Sequence, residues 1–566
     1  MQSRSSILDS LNENPRVPVL IIGAGANGVG VLWDLAQQGV DVLLVERGDF
    51  CSGTSAASGR VVHGGIRYLE NGEFRLVREA LGERNRLLTN APHCVVPLPV
   101  FMPAFSWTKG LIHAARQFFR LRSKPGDRGA LVLKLGFSLY DAYSGKGALP
   151  AHRFVARAAA LRERPSMTDA IKAAFVYYDA KLLYPERLCI ELLEDAAAAH
   201  PAGRALNYVS VVDAFGDTVR LRDELTGDMI AVHPKVVVNA TGAWIDLTNS
   251  ALRQPTQLIG GTRGSHLVVD HPELHALCRD QMVFFVNEDA RICIFYPLEQ
   301  RVLIGTTDIP DDEPDRAIIS DAEIDYLIAA VKHMFPQIVL DRSHIVYTFS
   351  GVRPLPRSDA LTPGQVSRDH SSPRIPPGSG LAFPIYSLVG GKWTSFRAFA
   401  EQVTDKVLGE IGHVRLRSTA RLAIGGGQRY PHDTAAQTAW IADVAQDTKL
   451  EHERVAVLFK RYGTNARRVA TFCAQGEDTP LAHHPAYSIR ELVYLATHER
   501  VEHLDDLLFR RTMIAMLGEI TLPLLDEVVD IIAPALGWSE ARGKQEVSRV
   551  VTLLIEKHRT HLNTTA

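Results

Sequence analysis

A chain of 566 residues, 46% hydrophobic and 22% charged, is too long for one ordinary core and has the make-up of a multidomain globular protein. Its net charge of −2 excludes a globally basic nucleic-acid or membrane binder, so any such function has to be local. The six cysteines (Cys51, Cys94, Cys189, Cys278, Cys293, Cys473) form no CxxC pair, which argues against a metal centre or a disulfide framework and for a reducing compartment.

Residues 1–16 read as a polar tail without the apolar stretch of an export signal, and no run of about 18 apolar residues follows, so no membrane span is expected. VPVLIIGAGANGVGVLWDLAQQGVDVLLVERGD, residues 17–49, reads as strand, glycine turn, helix and strand. The unbroken apolar run Val19 to Ile22 is that of a strand buried on both faces. The helix carries Val29, Leu32, Trp33 and Ala36 on one face, and Gly39 closes it. Between strand and helix, Gly23-x-Gly25-x-x-Gly28 gives a tight turn, close approach to a pyrophosphate and helix-on-strand packing. Glu46, at the end of the second strand, is placed to accept hydrogen bonds from ribose hydroxyls, so the unit reads as a dinucleotide site.

A helix follows from about 72 to 89, then an aromatic and basic stretch, then short strands ending in KVVVNATGAW near 244. Residues 257–350 are strand-rich, PGQVSRDHSSPRIPPGSG is a loop, a helix follows GGKWTSFR, and LAIGGGQ (422–428) reads as a linker into a helical remainder. An NAD domain usually completes itself within about 150 contiguous residues. Here the later glycine turns at ATGAW and VGGKWTSFR return far down the chain, which favours FAD. The expected fold is α/β: an interrupted Rossmann-like FAD-binding domain (17–100 and 151–256), a basic amphipathic segment (101–150), an antiparallel-sheet substrate domain (257–350), a segment closing the FAD and substrate sites (351–420) and a C-terminal helical domain (421–566).

The motifs GAGANG, TSAASGRVVHGGIRYLE, ATGAW, RGSHLVV, IGTTD, SGVRPL, VSRD and GGKWTSFR run in this order over residues 17 to about 410. Together with LDDLLFRRT (504–512), they make the chain resemble the FAD-dependent glycerol-3-phosphate dehydrogenases, the aerobic, quinone-linked type. It departs from that family in having Ser58-Gly59-Arg60 where Ser-Ser-Lys is frequent, Trp393 where Leu is common, Ala243 where Pro is frequent, and a longer insert at 101–149. The resemblance implies oxidation of sn-glycerol 3-phosphate to dihydroxyacetone phosphate by hydride transfer to flavin N5, with electrons passed on to quinone.

That chemistry needs a base for the hydroxyl proton and cations for a phosphate dianion. Within the family-like motifs, Arg67, Arg353 and Arg368 are expected to hold phosphate and hydroxyl groups, Tyr68 to donate a hydroxyl, and Lys392 to lie near flavin and substrate oxygen. His63 and His266 are both candidate bases; His266 is preferred because RGSH opens an apolar strand. Thr54, Ser55, Ser58, Gly64, Gly65, Thr241, Gly242, Gly390, Gly391, Trp393 and Thr394 are expected beside the cofactor. Cys51 is expected near FAD and carries no mark of reactivity.

TKGLIHAARQFFRLR (108–122) as a helix puts Lys109, His113, Arg116 and Arg120 on one face and Leu111, Ile112, Phe118 and Phe119 on the other. With Lys124, Arg128 and Lys134 after it, this suits an anionic membrane surface, and a cytoplasmic protein attached peripherally to the inner face of the cell membrane is expected. A homodimer contact or docking of a protein acceptor are the open alternatives for this segment. Other open readings are oxygen as electron acceptor and a different hydroxy- or amino-acid substrate. Nucleic acid is not an expected partner, because the basic stretch is confined to 109–134. In LDDLLFRR, Asp505 or Asp506 is expected to pair with Arg510 or Arg511 inside the helical domain.

Overall fold

A computed structural model describes residues 2–66, 73–108, 129–145, 149–287, 291–358, 369–560 and 562. The expectations for Arg67, Tyr68, Arg368 and the basic helix from Lys109 to Arg128 therefore lie outside the described residues.

The first sheet is built on the strand Arg16–Ile22. It pairs in parallel with Val42–Val45 on one side and with Met229–Asn239 on the other. Gly203–Leu206 and Ile385–Ser387 extend the sheet outward, again in parallel. Segments more than 200 residues apart thus sit side by side, and the expected interruption of the nucleotide-binding unit is present. Helix Ala26–Ala36 packs between helices Pro185–Ala199 and Phe396–Ile411, with Val29, Leu32, Trp33 and Ala36 all buried. Gly39 lies in the turn after it at φ +70°.

The second sheet has ten strands. Thr262–Val269 lies antiparallel between Arg301–Gly305 and Ile345–Arg353. Among the described residues all its pairings are antiparallel except one, Met282–Val286 beside Val95–Ala104. Val95–Ala104 and Ala173–Leu182 pair along ten residues here. Residues at the end of the first expected cofactor segment and near the start of the second thus join this sheet and not the parallel one. A strand's propensity does not say which sheet it joins, because pairing is a long-range choice.

The remainder is helical, from Thr434–Thr448 to Glu540–Glu556. Its apolar residues form one continuous core with the second sheet, from Leu458 and Leu492 to Tyr347 and Phe349. LAIGGGQ is not an exposed linker: Gly425, Gly426 and Gly427 are buried in a short 3₁₀ turn wedged against Glu191, Tyr462 and Asn90. A Cβ on Gly426 would lie 1.9 Å from the Tyr462 carbonyl oxygen, a backbone atom that cannot yield. Gly426→Ala should therefore destabilise the protein by about 2–4 kcal/mol. Gly409→Ala, in a helix with open space around it, should be neutral or stabilising by about 0.5–1 kcal/mol. Denaturant midpoints of the two variants check this.

Candidate active site

One cavity of ≈ 1700 Å³ runs from the carboxyl ends of the parallel strands to the face of the second sheet. At the nucleotide end, Gly23 turns at φ +102°, and a Cβ there would meet the Ala240 carbonyl oxygen at 2.8 Å. A Cβ on Gly28 would lie 1.8 Å from the Gly23 oxygen, so the helix start can sit this close only without side chains. Gly25 is the N-cap of helix Ala26–Ala36 and offers no side chain, leaving the positive helix end turned to the cavity. Glu46 lines the cavity; its carboxylate accepts the amides of Ala24 at 2.8 Å and Gly48 at 3.0 Å. Burial pushes its pKa up, against those two bonds. A long cavity with a bare helix N-terminus over the pyrophosphate position and a carboxylate at the ribose position fits FAD.

At the other end, His266 and Arg353 share the cavity wall. Strand pairing sets His266 across from Gly305 on one side and Phe349 on the other. Its ring stacks on Phe349 at 4.7 Å, and a Cβ on Gly305 would come 2.2 Å from its Cδ2, so IGTTD supplies the clearance. RGSH supplies it for the arginine: a Cβ on Gly264 would collide with the Arg353 guanidinium. Arg353 donates Nη1 to Asp308 at 3.0 Å and Nη2 to Thr306 Oγ1 at 2.8 Å and the Thr307 carbonyl at 3.0 Å. This holds the guanidinium by its fork. His266 is 3% exposed. Burial first, then the charges of Arg353 and Arg60, bring its pKa down to about 3, so the imidazole is neutral.

The structure brings together on this cavity His63, His266, Arg353, Lys392, Gly23, Gly25, Glu46, Thr54, Ser55, Ser58, Gly65, Thr241, Gly242, Gly390, Gly391 and Trp393. Three expected cofactor neighbours stand off its wall. Gly28 packs helix on strand. Gly64 is buried, its amide donating to Asp179 at 2.9 Å, with Leu81 and Tyr140 where a side chain would stand. Thr394 accepts the His63 amide at 3.2 Å. Of the hydroxyl residues on this wall, Thr54 donates to the Val352 carbonyl, Ser55 accepts the Ala26 amide, and Ser58 accepts the Arg60 amide. They shape the loop. Trp393, the departure from Leu, donates Nε1 to the Ser55 carbonyl at 2.9 Å.

Several residues on which the site depends were missed. Asp308, Thr306 and Thr307 lie in IGTTD; a carboxylate closing a family-like motif was the available signal, but only the fold brings it to Arg353, 45 residues on. Tyr208, Val209 and Val211 line the nucleotide end without any local sequence mark. Arg60 is buried at φ +53°, donating to the Leu183 carbonyl at 2.7 Å and touching Met513 Sδ at 3.3 Å.

A profile of the FAD dependent oxidoreductase family matches residues 18–381, and one of the C-terminal domain of alpha-glycerophosphate oxidase matches 417–543. A glycerol-3-phosphate dehydrogenase of Synechocystis sp. is 32% identical over 95% of this chain and 96% of its own length. One of Mycobacterium leprae is 30% identical, over 94% and 86%. The solved structure of glycerol-3-phosphate dehydrogenase from Bacillus halodurans complexed with FAD superposes with a TM-score of 0.74 at 23% identity, covering 98% of this chain and 97% of that one, and so shares the fold. With a cavity built for FAD and relatives matching end to end, this chain belongs to the FAD-dependent oxidoreductases, within the glycerol-3-phosphate dehydrogenase family.

Proposed function

We propose that the protein oxidises sn-glycerol 3-phosphate to dihydroxyacetone phosphate and delivers the electrons to a quinone. One observation carries the substrate half: a guanidinium fixed by Asp308 and a neutral imidazole share a wall of the FAD cavity. Bound FAD supplies a two-electron acceptor, at N5, for the hydride on the substrate's secondary carbon. Arg353 grips the phosphate, and Lys392, which lines the same cavity, orients the substrate oxygen. His266 takes the hydroxyl proton; its Nδ1 has no hydrogen-bond partner among the described residues. His63 is the second candidate. Arg67, Tyr68 and Arg368 complete the substrate contacts.

The quinone half rests on a surface. Among the described residues no helix is long and apolar enough to cross a membrane. Helix Ala130–Ser144, however, buries Leu133, Phe137 and Tyr140 and leaves Leu131, Leu135 and Leu139 exposed in a second stripe, 65% at Leu135. Trp107 and Phe154, also half exposed, lie together nearby. This apolar stripe follows directly on the basic residues 109–128 and suits peripheral attachment to an anionic bilayer, where quinone is dissolved. The match to an alpha-glycerophosphate oxidase domain motivates a second reading, with oxygen as acceptor.

Four outcomes are expected. Glycerol 3-phosphate, but not glycerol, bleaches the bound flavin anaerobically, and added quinone restores its colour faster than air does. Rapid return in air alone would favour oxygen. Arg353→Met raises KM for glycerol 3-phosphate by about 10–100-fold. His266→Gln lowers kcat by about 10²–10⁴ and also changes the pH dependence of stability. An imidazole with a folded pKa of about 3 and an unfolded value of 6.5 takes up its proton only on unfolding between those limits. The stability it contributes is full above pH 6.5 and is lost as pH falls, by up to about 1.4 kcal/mol per pH unit. The variant should lack that slope; an unchanged slope would mean that the ring is not buried neutral. Leu135→Glu should weaken co-sedimentation with anionic liposomes while leaving turnover with a soluble acceptor intact.

A further inference from the structure

The loop that carries the cofactor contacts is held from outside the nucleotide sheet. Asp49 follows Glu46 by three residues and opens the turn that runs through Cys51, at φ +60°, into residues 52–58. Its carboxylate is buried and taken by guanidinium groups from the far end of the chain. Arg511 donates Nη1 and Nη2 to its two oxygens at 2.8 Å each, and Arg510 donates Nε. Against the upward push of burial, the two arginines hold the Asp49 carboxyl below its usual range. Both arginines lie in the π-helical turn Leu507–Arg511 that continues the helix Leu504–Asp506.

A second grip acts through Tyr208. Its hydroxyl donates to Asp506 at 2.6 Å, while its amide donates to the Gly48 carbonyl at 2.9 Å and the next amide, of Val209, to the Glu46 carbonyl at 2.7 Å. The expected pairing of Arg510 with Asp505 and Asp506 is present, at 2.9 and 2.6 Å. It braces Arg510 for its contact with Asp49. At the far end of the loop, Arg60 meets Met513, two residues beyond Arg511. Residues 506–513 thus hold the cofactor loop at its start and at its end.

We infer that the C-terminal helical region completes the FAD site, with Arg511 as a positioning residue that acts through Asp49 on Glu46 and on residues 52–58. The inference rests on FAD as the cofactor. Arg511 itself is off the cavity wall, so it touches neither FAD nor substrate. Its forked geometry matters as much as its charge: a lysine keeps the charge but cannot serve both Asp49 oxygens in one plane. A loop that is competent only part of the time lowers apparent cofactor affinity by that fraction. The coupling is reciprocal, so FAD must in turn steady residues 504–512.

The test uses full-length protein stripped of FAD and titrated with FAD while flavin fluorescence is followed. Arg511→Lys should raise the dissociation constant by about tenfold or more, with KM for glycerol 3-phosphate at saturating FAD unchanged. A value within about twofold of wild type would overturn the inference. If the variant does not fold, hydrogen exchange of the wild-type protein with and without FAD decides. Slower exchange at 504–512 on binding supports the coupling, and protection confined to residues 23–66 and 240–244 overturns it. Failure of the wild-type protein to bind FAD would instead refute the cofactor assignment.

Discussion

The carboxyl end of the strand Arg16–Ile22 can carry no side chain, and the rest of the site follows from that constraint. Gly23 turns beneath Ala240, Gly28 sits on the Gly23 carbonyl, and the N-terminus of helix Ala26–Ala36 is thereby fixed at the mouth of the sheet. Because the neighbouring strand arrives from residues 229–239 and the next from 385–387, the cradle forms only when distant parts of the chain have come together. Loops leaving those strands are then free to line the cavity, Gly390 and Gly391 among them. Asn27 ties the two halves, donating to the Gly390 carbonyl at 3.1 Å.

Charge in this site is arranged rather than merely present. Arg353 is fixed by one carboxylate and two neutral oxygens, so its position is set by the fold itself. The neighbouring His266 is kept neutral by burial and by that same cation. The clearance for each comes from a glycine on an adjacent strand, Gly305 for the histidine and Gly264 for the arginine. The motifs RGSH, IGTTD and SGVR are therefore three faces of one packing arrangement.

Much of this was legible in the residues. Strand, glycine turn, helix and terminal glutamate are local features, and they predicted the nucleotide cradle; the choice of FAD rested on the later glycine turns. The later glycine turns marked the returning strands. What local pattern could not convey was partnership across the chain. Gly64 is expected beside the cofactor, and its amide is held by Asp179 and Tyr140, from the strand Ala173–Leu182 and the helix Ala130–Ser144. The glycines of LAIGGGQ look like a flexible linker until Tyr462 and Asn90 are seen against them. LDDLLFRR gave its internal pairing correctly, but nothing in those letters announces Asp49, more than 450 residues away. Arg60, too, makes sense only once Met513 lies beside it.

The reach of the C-terminal region into the cofactor loop joins fold and chemistry. The C-terminal helices share a core with the second sheet and place two arginines on Asp49, at the start of the loop after the second nucleotide-sheet strand. In the proposed reaction the substrate lies between Arg353 and His266, with its phosphate on the arginine. The most direct measurement is a crystal structure of the FAD-loaded, reduced protein soaked with dihydroxyacetone phosphate. The expected result is phosphate within hydrogen-bonding distance of the Arg353 guanidinium and the ketone oxygen facing the His266 ring. Phosphate bound elsewhere in the cavity, with Arg353 still closed on Asp308 alone, would contradict it.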